Sequence, residues 1–288
     1  MVTRMPVQWF PGHMAKARRQ IKSQLKICDL VIELLDARIP WSSRNPSIDE
    51  LLGAKPRVVV LNKVDLADAA MTRRWEKILA AGGDPVIQAD SVKGAGIRSV
   101  VEAILSIPQE RLKRRPGGSL RAVVVGIPNV GKSSFINRLV GQRAARTGRR
   151  PGLTRGPQWI RIGGDVELLD TPGILWPKFD DPLVGLKLAA TGAIKEEVFS
   201  CEEIAGWLLG WLAEKAPAAL AQRYDLPSAP ADTAEVLGAV GLKRGVLLPG
   251  GRVDLERAAA LIIKDFQDGR LGRFTLDDPA MDERRGGD

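Results

Sequence analysis

The stretch GIPNVGKSS, Gly126 to Ser134, spaces its glycines, lysine and serines as G-x-x-x-x-G-K-[ST]. Glycines at those places let backbone N–H groups wrap a polyphosphate, and a helix opening behind them adds its positive end. Lys132 is spaced to reach the β- and γ-phosphates and Ser133 to ligate Mg²⁺, with Asn129, Val130, Gly131 and Ser134 completing the cradle. A second stretch, DTPG from Asp170 to Gly173, closes an apolar run. Its Asp170 can hold Mg²⁺ through water, and the Gly173 N–H can meet a γ-phosphate. Between the two lies TGRRPGLTRG, residues 147–156. Thr154 is the candidate to complete the Mg²⁺ shell, with Thr147 as the alternative, and loss of the γ-phosphate would release this loop.

Base selection has its own residues. NKVD (62–65) and SVKG (91–94) each follow an apolar run. An Asp65 carboxylate can accept from guanine N1–H and N2–H₂, a donor pair that adenine lacks. Asn62 would brace the loop, Lys63 would lay its aliphatic stem over the base, and Val64 belongs to the same turn. In the second loop a backbone N–H among Ser91, Val92 and Lys93 would meet guanine O6. The expected ligands are therefore GTP and GDP with Mg²⁺.

Hydrolysis needs a group that orients water. Many GTPases use a Gln directly after the DxxG glycine. Here Ile174 follows Gly173 and cannot hydrogen-bond water. The single histidine, His13 in WFPGHM (9–14), is the candidate in its place. A neutral imidazole can orient water or take its proton near pH 7. A purely structural loop histidine is the alternative.

Strands and helices must carry these loops. Strand-like runs fall at 30–36, 57–62, 85–90, 121–126, 158–162 and 166–170, alternating with amphipathic stretches at 14–27, 68–81, 96–106 and 132–140. That alternation predicts an α/β domain with a mostly parallel sheet. The motif order is unusual: NKVD and SVKG precede the phosphate loop, and DTPG comes last. A sheet re-cut at a surface loop gives this circularly permuted order, with the polar segment 109–119 joining the original ends. The predicted domains are 1–178, a permuted nucleotide domain that includes the basic segment 1–27; 179–274, an all-α unit with helical spacing in 204–220 and 255–266; and 275–288, an acidic disordered tail. Trp207 and Trp211, four apart on one helix face, read as core packing.

Composition narrows the setting. Of 288 residues 44% are hydrophobic and 27% charged, and the net charge is +9. Residues 1–27 hold six Lys/Arg and no acid, and residues 138–161 hold seven Arg and no acid. Such clusters suit phosphate neutralisation, so a nucleic-acid partner is expected, against a merely solvated basic surface. Arg143, Arg146, Arg149 and Arg150 beside the switch loop read as RNA contacts or as an intramolecular arginine finger. Two distant cysteines, Cys28 and Cys201, fit a reducing compartment. No apolar run reaches transmembrane length, so a cytoplasmic protein without a membrane partner is expected, acting as a monomer.

In its order WFPGHM, DAR (36–38) within LLDARIPWSSRNP, NKVD, SVKG, GIPNVGKSS, PGLTRG and DTPG, the chain resembles the YlqF/RbgA family of circularly permuted GTPases, also called ribosome biogenesis GTPase A. The resemblance covers all but the last residues. It implies a P-loop GTPase fold with a C-terminal RNA-binding domain. It further implies a role in late assembly of the large ribosomal subunit, binding to ribosomal RNA, and hydrolysis stimulated by the ribosomal particle. It also points to His13 as catalytic. Asn129 resembles the residue of potassium-dependent GTPases that seats K⁺ between phosphates, with support of loop shape as the alternative. Leu153 stands where the family more often has a second Thr, which favours Thr154 as the Mg²⁺ sensor. Asp36 and Arg38 read as an ion pair or loop brace. A competing reading is an RNA-binding factor with negligible turnover; a GTPase acting on tRNA or at a membrane ranks below both.

Overall fold

A computed structural model describes residues 22–53, 55–112, 118–147, 159–162, 166–170, 181–194, 200–226 and 233–282. The chain forms two compact units, Met1–Phe179 together with Thr275–Asp288, and Asp180–Phe274.

The first unit is built on a six-stranded sheet in the order β3-β2-β1-β4-β6-β5. Its strands are β1 (Leu30–Asp36), β2 (Arg57–Asn62), β3 (Val86–Ala89), β4 (Leu120–Gly126), β5 (Trp159–Ile162) and β6 (Val166–Asp170). All neighbours run parallel except the antiparallel β5–β6 pair. The strand-like runs of the sequence match these strands to within a residue at each end. β1 is buried along its whole length, as expected of a central parallel strand. The helices of this unit are α1 (Pro46–Leu52), α2 (Ala69–Ala80), α3 (Ile97–Leu105) and α4 (Lys132–Thr147). Asp68 caps α2, its carboxylate accepting from Met71 N at 2.7 Å. α3 buries Ile97, Val100 and Ile104, a stripe at helical spacing. Helix α1 was not expected. Its seven residues hold too little periodicity to read, but Ile48 and Leu52 pack against Val31 of β1, Val123 and Val125 of β4, and Leu169 of β6.

A carboxyl group sits at the middle of this sheet. Glu33, at the centre of β1, is 1% exposed. Burial pushes its carboxyl above the usual range, and Arg57 opposes the shift. The Arg57 guanidinium lies 3.0 Å from Glu33 and also holds Asp49 at 2.6 Å and Asp84 at 2.8 Å. Removing one partner of such a pair strands the other charge. Arg57→Ala is expected to cost about 3–5 kcal/mol in urea denaturation. Adding Glu33→Gln should restore part of that loss; a double variant no more stable than Arg57→Ala would show that the stranded carboxylate is not the cause.

The second unit is all α: α5 (Pro182–Ala190), α6 (Cys201–Lys215), α7 (Pro217–Tyr224), α8 (Thr233–Lys243) and α9 (Leu255–Gln267). The run 204–220, with its helical spacing, forms parts of two helices divided at Ala216, because Pro217 has no N–H to continue α6 and instead starts α7. Ser200 caps α6, its hydroxyl accepting from Glu203 N at 3.1 Å. Trp211 meets Phe274 edge-on at 5.8 Å, the packing role expected of it. Asp265 of α9 is buried and accepts from Arg223 at 2.8 Å, Arg270 at 3.0 Å and the Tyr224 hydroxyl at 3.2 Å. Burial alone would raise its carboxyl, but the arginines hold it below the usual range.

The disordered tail expected at 275–288 is corrected over its first part. Residues 275–282 belong to the first unit, with Leu276 and Asp277 buried and a one-turn helix α10 (Pro279–Asp282). Their acidic composition hid a pairing with the loop after β1, described below. Residues 283–288 lie outside the described residues.

Candidate nucleotide-binding site

Register sets the site. Leu34 of β1 lies beside Gly126 of β4, Asp36 beside Asn62 of β2, Asn62 beside Ala89 of β3, and Val124 beside Asp170 of β6. The parallel strands thus end together at one edge, where open α/β sheets bind ligands.

The phosphate loop spans the turn from Gly126 at the end of β4 to Lys132 at the start of α4. Gly131 has φ +102°, and a Cβ there would stand 2.5 Å from Asn62 Nδ2, so the loop needs glycine at this point. Lys132 is buried, its ammonium donating to the carbonyls of Gly126 at 3.0 Å and Ile127 at 2.7 Å. Ser133 and Ser134 are exposed on the first turn of α4, and exposed Asn129 holds φ +56°.

Asn62 ties three motifs together. Its Nδ2 donates to Val130 O at 2.8 Å, and its Oδ1 accepts from Ser91 N at 3.2 Å and Ser91 Oγ at 2.7 Å. The bracing expected of it is therefore a link between base loops and phosphate loop. Lys63 follows β2 directly. It has φ +62°, and its ammonium lies 3.0 Å from Asp36 Oδ2. Burial lowers the Lys63 ammonium below its ordinary range, with Asp36 opposing. Asp36 also takes Arg38 through Nε at 2.9 Å and Nη2 at 2.7 Å, the ion pair anticipated for the DAR stretch. Burial alone would raise the Asp36 carboxyl, but the guanidinium and the ammonium hold it well below the usual range. Half-buried Asp65 has no hydrogen-bond partner among the described residues, which leaves its carboxylate available to a ligand.

The SVKG loop carries a residue that sequence reasoning missed. Asp90 Oδ1 accepts from Val92 N and Lys93 N, both at 2.9 Å, and Gly94 N donates to Asp90 O at 2.7 Å. Asp90 fixes the direction of the amides expected to meet guanine O6, and an amide that does so must share its proton. Arg138 of α4 adds a second brace, donating to the carbonyls of Ser91 and Val92. In the sequence it read only as one of the seven arginines of 138–161, a cluster suited to phosphate neutralisation.

The remaining assignments are less complete. Asp170 is fixed as the last residue of β6, next to the phosphate-loop strand. His13, Thr154 and Gly173 lie outside the described residues. Both cysteines are buried and unpaired with each other, and burial pushes the Cys28 thiol up to about 12, which makes it unreactive at neutral pH. No helix among the described residues is long and apolar enough to cross a membrane.

A parallel sheet with a phosphate loop, a DxxG aspartate and two base loops on one edge defines a P-loop GTPase, here with permuted connectivity. Residues 121–205 match the model of a family described as 50S ribosome-binding GTPase. The chain is 48% identical to ribosome biogenesis GTPase A of Priestia megaterium, over 97% of this chain and 99% of that one. It is 38% identical to mitochondrial ribosome-associated GTPase 1 of Mus musculus, over 94% and 90% respectively. The crystal structure of GNP-bound YlqF from T. maritima superposes with a TM-score of 0.68 at 30% identity, covering 92% of this chain and 98% of that one. The chain belongs to the ribosome biogenesis GTPase A family, and it binds guanine nucleotide and hydrolyses GTP.

Proposed function

We propose that the protein times a late step in assembly of the large ribosomal subunit, binding ribosomal RNA in the cytoplasm and hydrolysing GTP when the precursor particle stimulates it. The observation that carries this reading is near full-length similarity to GTPases named for the ribosome, on a chain whose motif loops share one sheet edge. Charge supports the RNA partner and refines where it binds. Residues 1–179 carry 30 Lys/Arg against 15 Asp/Glu, whereas residues 180–274 carry 11 against 14. The basic side of the helical unit is confined to Lys243–Arg273, with seven Lys/Arg against four acids. RNA contacts are therefore assigned to the first unit and to that stretch, rather than to the whole helical unit.

Asp65 selects guanine, Lys132 holds the β- and γ-phosphates, and the loop from Asn129 to Ser134 cradles them. One backbone N–H among Ser91, Val92 and Lys93, in the loop held by Asn62, Asp90 and Arg138, shares its proton with guanine O6. Exposed Ser133, with Thr154 and, through water, Asp170, suits Mg²⁺; Asn129 suits K⁺. Bound there, these cations would offset charge on the phosphates. Gly173 N–H meets the γ-phosphate. His13 orients the attacking water, since Ile174 cannot.

The test is GTP turnover in KCl, with and without purified large-subunit particles. His13→Ala is expected to leave GTP affinity intact and lower stimulated turnover about a hundredfold, the scale of a lost general base. Loss of binding instead would make His13 structural. Absence of stimulation in the wild type would favour an RNA-binding factor with negligible turnover.

A further inference from the structure

The buried return segment after the helical unit grips the elements on both sides of one nucleotide motif, NKVD. Thr275 Oγ1 donates to Ala37 O at 3.3 Å, and Leu276 N donates to Arg38 O at 2.7 Å. Asp277 is fully buried. Its carboxylate accepts from Ser42 N at 2.8 Å and Ser42 Oγ at 2.6 Å. Its carbonyl accepts from Trp75 Nε1 of α2 at 3.2 Å. Ser42 lies in the loop that leaves β1, and Trp75 in the helix that follows NKVD.

That β1 loop is what holds Lys63. Asp36 begins it and contacts the Lys63 ammonium, Asp36 N donates to Ser43 Oγ at 3.0 Å, and Ala37 N donates to Asn62 O at 2.8 Å. A path of hydrogen bonds joined by the Ser42–Ser43 peptide link therefore runs from Asp277 to Asp36, and on through the ion pair to Lys63, two residues before Asp65. A buried carboxylate needs strong compensation, so its position is tightly specified once its donors are satisfied. We infer that Asp277 is a positioning residue for guanine recognition: the segment Thr275–Asp277 straps the β1 loop and α2 so that Lys63 and Asp65 are set for the base.

This rests on the assignment of Asp65 to guanine, and the experiment separates the two. GDP and IDP are titrated calorimetrically into the full chain; IDP lacks the 2-amino group and so depends less on Asp65. In the wild type GDP should bind more tightly. Asp277→Ala is expected to weaken GDP about tenfold and IDP about twofold or less, so that the preference collapses. Ser42→Ala, which keeps the carboxylate and removes one donor, should shift the ratio the same way. Asp277→Asn, which retains an acceptor for Ser42, should restore part of it. Should Asp277→Ala fail to fold, the latter two variants carry the reading. Equal weakening of GDP and IDP, or an unchanged ratio, overturns the inference, because a merely structural segment would not discriminate the bases. A wild type that binds both equally overturns the Asp65 assignment beneath it, and the inference with it.

Discussion

Lys132→Ala abolishes tight GTP binding, with affinity expected to fall on the order of a hundred- to a thousandfold. The size follows from the position. The ammonium is buried at the base of α4 and already turned onto the carbonyls of Gly126 and Ile127, so it meets an incoming phosphate from a desolvated place. Charge-assisted hydrogen bonds formed there are far stronger than those in water. Alanine would also leave the two carbonyls without that donor, loosening the turn that aims the backbone N–H groups. The check is calorimetric titration with GTP and GDP, alongside a thermal melt. Retained affinity would remove Lys132 from the phosphate site; lost affinity with an unchanged melt would place its effect on the ligand rather than on the fold.

Much of the fold was legible because its signals are local. β1, β2 and β4 are short apolar runs that end in loop motifs, and the phosphate loop needs glycine at Gly131 for a reason that a spacing pattern captures. The motif order alone disclosed the permuted connectivity. What stayed hidden depends on partners distant in sequence. Asp277 lies 235 residues from Ser42, and nothing near it distinguishes a buried acceptor from one more acid in a tail. Asp90 read as the end of a strand because its Asx-type hold on Val92 and Lys93 has no pattern beyond one residue type. The ion pair of Lys63 with Asp36 required the register of β1 on β2. The break at Pro217 was available from the residue itself and was overridden by apolar spacing on either side.

The permutation and the strap share one consequence. In chain order the helical unit is spliced between DTPG and Thr275, so both of its ends lead into segments next to nucleotide motifs. In chain order the entrance follows Gly173, the glycine proposed to meet the γ-phosphate, and the exit is the segment bonded to the loop that holds Lys63. An event in the helical unit that strained either connection would bias a different part of the ligand, phosphate on one side and base on the other. Such coupling is reciprocal in binding free energy.

Asp65→Asn tests the base side, and its expected outcome is an inverted preference rather than a simple loss. On the proposed role the Asp65 carboxylate accepts two hydrogen bonds from guanine, and a site built on such a pair rejects bases that lack it by large factors. In xanthine a carbonyl replaces the 2-amino group, so the carboxylate would face an oxygen. An asparagine amide can donate to that oxygen and still accept from N1–H. GDP affinity should therefore fall, xanthosine diphosphate affinity should rise, and their ratio should change on the order of a thousandfold. Lys63, Asp36 and the Asp277 strap are untouched by the substitution, so the loop keeps its position and the change reports base chemistry alone. Competition of the two nucleotides for the variant and for the wild type reads the ratio directly. A ratio that does not move would mean that the 2-position of the base is read elsewhere than at Asp65, since guanine and xanthine share the O6 acceptor.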